Sequence, residues 1–306
     1  MQRLPRSPLM VGIAGTLAAG FVLVGCGGSP AGDEASATET SARPAAQTVE
    51  SSIAVNRCAK ENLTTMVPGT LTIGTDSPAF PPYFVDDDPT NGQGFESAVA
   101  YAVAADLGFT PTEVSWVVVP FTTSFLPGEK EFDFDINQIS ITPARAESVD
   151  FSRGYYSVNQ AVVGLVDSPI ASVTTVTGLK EFRLGAQADT TNLEFIEQTV
   201  RPNTDTSVFG TIGEATSALQ NDQIDGIVVD LPTAYTLTAT EIANGEIVGQ
   251  FPAQDDADQF GMLFAQGNPL VTCVDEALAR LTQSGELQRL QDTWLAGITA
   301  PYFTEE

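Results

Sequence analysis

The sequence predicts an α/β protein with enough chain for two lobes. Two observations carry that expectation. Short runs with strand periodicity or β-branched composition alternate with segments of helical spacing, the pattern of sheets flanked by helices with ligand sites at strand ends. The 306 residues, 42% of them hydrophobic, hold enough apolar material for two cores.

Residues 70–73, Thr-Leu-Thr-Ile, alternate polar and apolar side chains and read as a short strand, ended by Gly74 and by prolines at 78, 81 and 82. That strand delivers Asp76 and Phe80 to its end. Residues 95–107, with alanine at 98, 100, 102, 104 and 105, form a helix by propensity that Gly108 stops. Residues 114–119 are a strand leading to Phe121, and Pro127-Gly128 breaks the segment after it. Residues 134–139 are the next strand, since Phe134 and Ile136 alternate with Asp135 and Asn137. Beyond Tyr156, strands are expected over 159–166 and 184–187, helices over 192–200 and 213–220, a buried strand over 227–229, and a helix start at Asp230-Leu231-Pro232. Residues 260–264 return as a strand. Apolar positions 274, 278, 281, 287, 290 and 295 describe two helical segments interrupted at Gly285.

After the strand at 134–139 stands Ser140-Ile141-Thr142-Pro143-Ala144-Arg145. Thr142-Pro143 reads as a helix start, with the threonine oxygen capping free N–H groups and proline at the first helical position. Arg145 then falls in the first turn, where the helix dipole disfavours a cation, in a chain with only 13 lysines and arginines. Two readings of it stand. One is a surface salt bridge to Glu147 or Asp150. The other is a two-pronged grip on a ligand carboxylate, helped by the Ser140 and Thr142 hydroxyls and nearby N–H groups.

Charge and composition exclude several classes of function. A formal net charge of −26 repels nucleic acid and anionic membrane surfaces. Histidine is absent, which removes Ser-His-Asp and Cys-His catalysis and every histidine-ligated metal site. The three cysteines, at 26, 58 and 273, lack zinc or redox spacing. No catalytic residue, metal or cofactor is expected. Arg3 and Arg6 precede an apolar run at 9–24, the order of a secretory signal; the run is short and rich in Gly and Ala, whereas a stable span needs about 20 mainly apolar residues. Leu23-Val24-Gly25-Cys26 resembles a lipobox, which implies cleavage before Cys26 and lipid on its thiol and amine. Residues 27–51, rich in Gly, Ser, Ala, Thr and Glu, read as a flexible tether. Acylation of Cys26 leaves Cys58 and Cys273 as an even pair in an oxidising compartment, expected to form a disulfide.

The segment Ser140-Ile141-Thr142-Pro143-Ala144-Arg145, followed by Val149-Asp150-Phe151-Ser152 and Tyr155-Tyr156, resembles the signature of polar amino-acid substrate-binding proteins of ABC importers. Further matches are Gly74-Thr75-Asp76 with Phe80-Pro81-Pro82, Gly94-Phe95, Gly185-Ala186-Gln187-Ala188-Asp189-Thr190-Thr191, Asp225-Gly226-Ile227-Val228-Val229-Asp230 and Gly267-Asn268-Pro269-Leu270. The resemblance implies a two-lobe periplasmic-binding-protein-like fold of type II with two hinge crossings. Residues 1–25 would be a lipoprotein leader and 26–57 the lipidated cysteine and tether. The first lobe would be 58–154 with 261–306, the second 160–255, and the hinges 155–159 and 256–260. It further implies a monomer, anchored by lipid outside the cytoplasm, that captures a free amino acid or similar zwitterion and hands it to permease subunits. Two other functions occur on such scaffolds: a cyclohexadienyl dehydratase-like enzyme, and a ligand-sensing receptor subunit.

Carried over residue by residue, the resemblance gives Arg145 and Ser140 the ligand carboxylate and Asp230 its ammonium. Without it, Asp230 reads as a helix cap ahead of Pro232. Thr191-Asn192-Leu193-Glu194 is a capping box in its own right, while the resemblance turns that helix start toward the ligand carboxylate. Phe80 and Phe121 match positions that sandwich the ligand's carbon skeleton, against an ordinary core role. Asp76 and Gln187 match side-chain-reading positions. Asn137 and Gln138 occupy places often filled by smaller residues, Asp135 stands where the strand is usually apolar, and Asp189 replaces a common glycine. These carboxylates point to a polar or cationic ligand side chain, or to a solvated acidic face. Pro127-Gly128 shortens the helix the family carries at that point.

Overall fold

The structure, a computed structural model, describes residues 56–252 and 258–305. The leader, Cys26, the tether and part of the second hinge lie outside the described residues.

Among the described residues, twelve strands make two five-stranded sheets and one ribbon. The first sheet holds β1 (Leu71–Thr75), β2 (Val114–Val118), β3 (Phe134–Asp135), β4 (Val149–Phe151) and β12 (Leu263–Ala265), in the order β2-β1-β3-β12-β4. β1 runs parallel to β2 and β3, while β12 runs antiparallel to β3 and β4. One face is covered by α1 (Phe95–Asp106), α6 (Leu270–Ser284) and α7 (Glu286–Trp294), whose Val99, Val103, Val274, Leu278, Leu287 and Leu290 share a core with Leu71, Ile73 and Phe134. The second face carries a smaller cluster of Phe132, Ile139, Val149 and Leu263, with Phe121 and Phe125 of the short α2 (Phe121–Ser124) region packed on it.

The second sheet holds β6 (Gln160–Leu165), β7 (Leu184–Gln187), β8 (Ser207–Phe209), β9 (Gly226–Asp230) and β10 (Gly245–Gln250), in the order β10-β6-β9-β7-β8. Every residue of β9 is buried, which is why Gly-Ile-Val-Val reads as a continuous apolar run rather than an alternating one. Around it pack α3 (Thr191–Phe195), α4 (Ile212–Gln220) and α5 (Leu231–Thr236), α3 and α5 each extended by a π-helical turn. The ribbon joins the lobes: β5 (Tyr156–Ser157) pairs antiparallel with β11 (Gln259–Phe260).

Two glycines are required by geometry. Gly94, at φ 97° before α1, has the Tyr83 carbonyl in the space a Cβ would fill, and Gly285, at φ 79°, turns α6 into α7. Cys58 and Cys273 are joined in the structure, with Cα atoms 5.3 Å apart.

Several local expectations change. The strand expected over 134–139 stops at Asp135, because Gln138 adopts φ 49° and Glu96 accepts its backbone N–H at 2.8 Å, turning the chain. The strand expected over 260–264 divides: Phe260 pairs with Tyr156 in the ribbon, and Leu263 pairs with Asp135 and Phe151 in the first sheet. Thr142 caps as expected, accepting the Arg145 N–H at 3.2 Å, but the helix it starts is a single 3₁₀ turn, Arg145–Glu147. A turn this short carries little macrodipole, which removes the expected penalty on Arg145. The return segment 261–306 does not stay with the first lobe. Tyr302 and Thr304 bridge to Gln250 and Thr175, beside the second sheet.

Candidate functional site

All nine residues singled out from the sequence, Asp76, Phe80, Phe121, Asn137, Ser140, Arg145, Gln187, Thr191 and Asp230, line one cleft of about 480 Å³ between the lobes. Strand ends deliver most of them, as expected where sheets present their carboxyl ends to a crevice. Asp76 follows β1, Gln187 ends β7, Asp230 ends β9, and Asn137 and Ser140 follow β3.

Arg145 is half-buried. Its Nη1 donates to the Ser140 carbonyl at 2.7 Å and its Nη2 to the Asp189 carbonyl at 2.8 Å. Its guanidinium lies 4.7 Å from the Phe125 ring centroid and 5.5 Å from that of Phe121. The salt bridge to Glu147 or Asp150 does not form; among the described residues Arg145 has no ion-pair partner within 4.0 Å. Burial weighs against its charge, and the fields of Glu194, Asp258, Asp230 and Asp189 support it. Two carbonyls and two rings therefore fix the guanidinium while leaving it without a counter-anion. Because Asp189 belongs to the second lobe, the same arginine ties the two sides of the cleft together. Ser140 Oγ and Thr191 Oγ1, 3.4 Å apart, meet across the same gap.

Ser140 is held on both sides. It bridges to Phe260 of the ribbon, while Ile141 donates to the Gln259 carbonyl at 2.8 Å and Gly261 to the Ile139 carbonyl at 3.0 Å. Thr142 does not line this cleft; its hydroxyl oxygen accepts the Arg145 N–H, and the residue lines a separate, neighbouring pocket.

Asp230 occupies the N-cap position of α5, yet its side chain makes no cap bond. Only 9% exposed, its Oδ1 accepts from Asn192 Nδ2 at 3.3 Å. Burial first, and then the charge of Asp258, push its carboxyl up to about 7, against the pull of the Asn192 hydrogen bond and Arg145. The helix-cap reading thus gives way to a carboxyl group that, among the described residues, forms no ion pair within 4.0 Å.

The capping box is displaced by one residue. Thr190, not Thr191, accepts the Leu193 N–H at 3.2 Å, which frees the Thr191 hydroxyl for the cleft. Asp76 serves its own neighbourhood, accepting the Ser77 N–H at 2.7 Å and the Phe121 N–H at 3.1 Å, and so sets where the Phe121 ring begins. Asp135 fits neither reading of the acidic residues. It is fully buried beneath the cleft, opposite Gly74 in the ladder, with both oxygens lacking hydrogen-bond partners among the described residues. Burial, and then the charges of Glu96 and Asp76, hold its carboxyl well above the ordinary range. Glu96, buried in α1, accepts from the Tyr155 hydroxyl and from both nitrogens of Gln138, and is pushed up to about 7, chiefly by burial.

Phe125 and Asn192 were not singled out from the sequence. Phe125 carried a signal, standing four residues after Phe121, on the same side of a helical turn. Asn192 carried none beyond its place in the capping box.

Residues 71–297 match the family model of the bacterial extracellular solute-binding proteins, family 3. The L-cystine-binding protein TcyJ of Escherichia coli strain K12 is 26% identical over 232 residues, covering 74% of this chain and 82% of its own. The arginine-binding periplasmic protein of Mannheimia haemolytica is 24% identical over 223 residues, covering 72% and 89%. An ancestral arginine-binding protein, solved bound to arginine, is 25% identical with a TM-score of 0.62, covering 74% of this chain and 99% of its own.

Proposed function

The chain belongs to the bacterial extracellular solute-binding proteins of family 3, and from that premise we propose that it captures a free amino acid between its lobes for an ABC importer. Arg145 and Ser140 take the ligand's carboxylate, with Thr191 opposite them, and Asp230 takes its ammonium. Phe80 and Phe121 flank the carbon skeleton, and Asp76, Asn137 and Gln187 read a polar or cationic side chain. One observation carries this reading. Arg145 and Asp230 enter one cleft from opposite lobes, and among the described residues each has only neutral hydrogen-bonding partners.

A zwitterion satisfies both at once. It bridges the lobes, so its contacts exist in full only in the closed state, and closure follows from that differential affinity. The closed form is what the permease subunits recognise. Crossings at 155–159 and 256–260 are the hinges, joining a first lobe that starts at Cys58 to a second at 160–255. The protein works as a monomer, tethered by lipid on Cys26 after loss of residues 1–25, with Cys58 and Cys273 oxidised.

A thermal-shift screen of the free amino acids and common polyamines tests the reading. A ligand at about 100 times its dissociation constant stabilises by about 2.7 kcal/mol. One or more amino acids are expected to raise the melting temperature; a flat response across all of them would rule the reading out.

A further inference from the structure

After α7 the chain leaves the first lobe. Leu295 is still buried in the first core. Gly297, at φ 75°, turns the chain, Ile298 packs against both the first core and the core beneath β9, and Ala300 packs against the latter alone. The next residues are laced to the second lobe. Gln250 donates its N–H to the Pro301 carbonyl at 2.8 Å, Phe303 donates to the Gln250 carbonyl at 2.9 Å, and Thr304 donates to the Thr174 carbonyl at 3.0 Å. Phe303 is 3% exposed, and its ring stacks 5.0 Å from Phe251, which lies 4.4 Å from Phe195. A Cβ on Gly249 would stand 2.8 Å from the Phe303 ring, so the glycine makes the seat for it.

We propose that residues 296–304 are a third crossing between the lobes, a strap that limits opening and positions the second lobe's share of the ligand site. The limit is covalent. Leu295 is fixed on one side and Ala300 on the other, and five extended residue steps reach at most about 18 Å. Ile298, wedged against both cores, loses contact with one of them when the lobes part.

The positioning runs through two routes. Phe303, Phe251 and Phe195 form an aromatic chain, and Phe195 closes α3, which opens with Thr191 at the cleft. Gln250 Nε2 donates to the Ala300 carbonyl at 2.6 Å while its Oε1 accepts from Asn159 Nδ2 at 2.8 Å, and Asn159 also reaches the Tyr302 hydroxyl at 3.4 Å. The Asn159 carbonyl in turn accepts the N–H of Leu231 at 2.8 Å, the residue after Asp230. The strap thus braces both Thr191 and Asp230 from behind. The positioning half rests on the amino-acid reading; the limit on opening does not.

Inserting six Gly/Ser residues between Thr299 and Ala300 lengthens the strap while leaving the Leu295 and Phe303 anchors in place. Removing residues 300–306 is the harsher variant, and the insertion keeps the test valid where truncation unfolds the second lobe. Small-angle scattering of the full ligand-free protein and hydrogen exchange read the result without any ligand. Parting of the lobes is expected in the insertion variant, with a radius of gyration about 1 Å or more above the parent, against about 19 Å for a compact body of this size. Faster exchange is expected at 191–195 and Leu231, with α1 unchanged. Superimposable scattering curves would overturn the strap, and unchanged exchange at 191–195 and Leu231 would overturn its positioning role. Neither readout uses a ligand, so failure of the strap is distinguishable from failure of the amino-acid reading.

Discussion

Lowering the pH from 7.5 to 5.5 should weaken ligand binding through Asp230. Its carboxyl sits near 7 in the ligand-free cleft because burial and Asp258 oppose its charge, with Asn192, Arg145 and Glu96 as the other groups facing it. A ligand ammonium needs the ionised form. With a pKa of about 7, the ionised fraction falls from about three-quarters at pH 7.5 to about 3% at pH 5.5. That is roughly a 25-fold loss of affinity, or about 2 kcal/mol. Calorimetry across this window, repeated in buffers of different ionisation heat, measures both affinity and the proton released on binding. Close to one proton per ligand is expected at the acid end. Asp230→Asn should weaken binding at pH 7.5 and flatten the profile. An affinity independent of pH, with heats independent of buffer, would refute the role given to Asp230.

The same shifts act on stability with the opposite sense. Asp230 and Glu96 both rise to about 7 on folding, so the folded state holds protons the unfolded chain gives up. That stability is present below the unfolded values and lost as pH rises through 7, so the ligand-free melting temperature should climb as pH falls from 8 to 5.5. A melting temperature falling over that range would contradict it. Asp189→Gly should raise stability by about 1 kcal/mol, because Asp189 holds φ 61° where glycine is unstrained, and should tighten binding by removing a carboxylate from beside Arg145; calorimetry and denaturant melts check both. Reduction of Cys58–Cys273, which closes a loop of 215 residues, should lower stability by about 2–5 kcal/mol, read as the change in urea midpoint with and without reductant.

Where burial and period agreed, the sequence was a sufficient guide. β9 reads as a core strand because Ile227, Val228 and Val229 are all enclosed, and α6 and α7 show their apolar stripe and the glycine between them. β10 was invisible because Gly-Glu-Ile-Val-Gly-Gln has little strand character of its own; it exists by pairing with β6, and one of its glycines serves as the seat for Phe303. β4 is three residues long and is made a strand by β12 alone. At the site, residue identity was legible but local duty was not. A threonine pair cannot declare which member caps, and the carbonyls that hold Arg145 belong to Ser140 and Asp189 whatever their side chains. Asp135 shows the same limit: its alternation with Phe134 and Ile136 gave the face, but a polar residue on that face does not disclose that the face is covered.

A cleft that bridges a zwitterion between Arg145 and Asp230 makes its sharpest demand on the arginine. Isothermal calorimetry of Arg145→Ala, against the parent and with the amino acid that the thermal-shift screen identifies, should show binding weakened by about 2–5 kcal/mol, the usual cost of leaving a buried charge without its partner. Equal affinity in the two proteins would contradict the clamp.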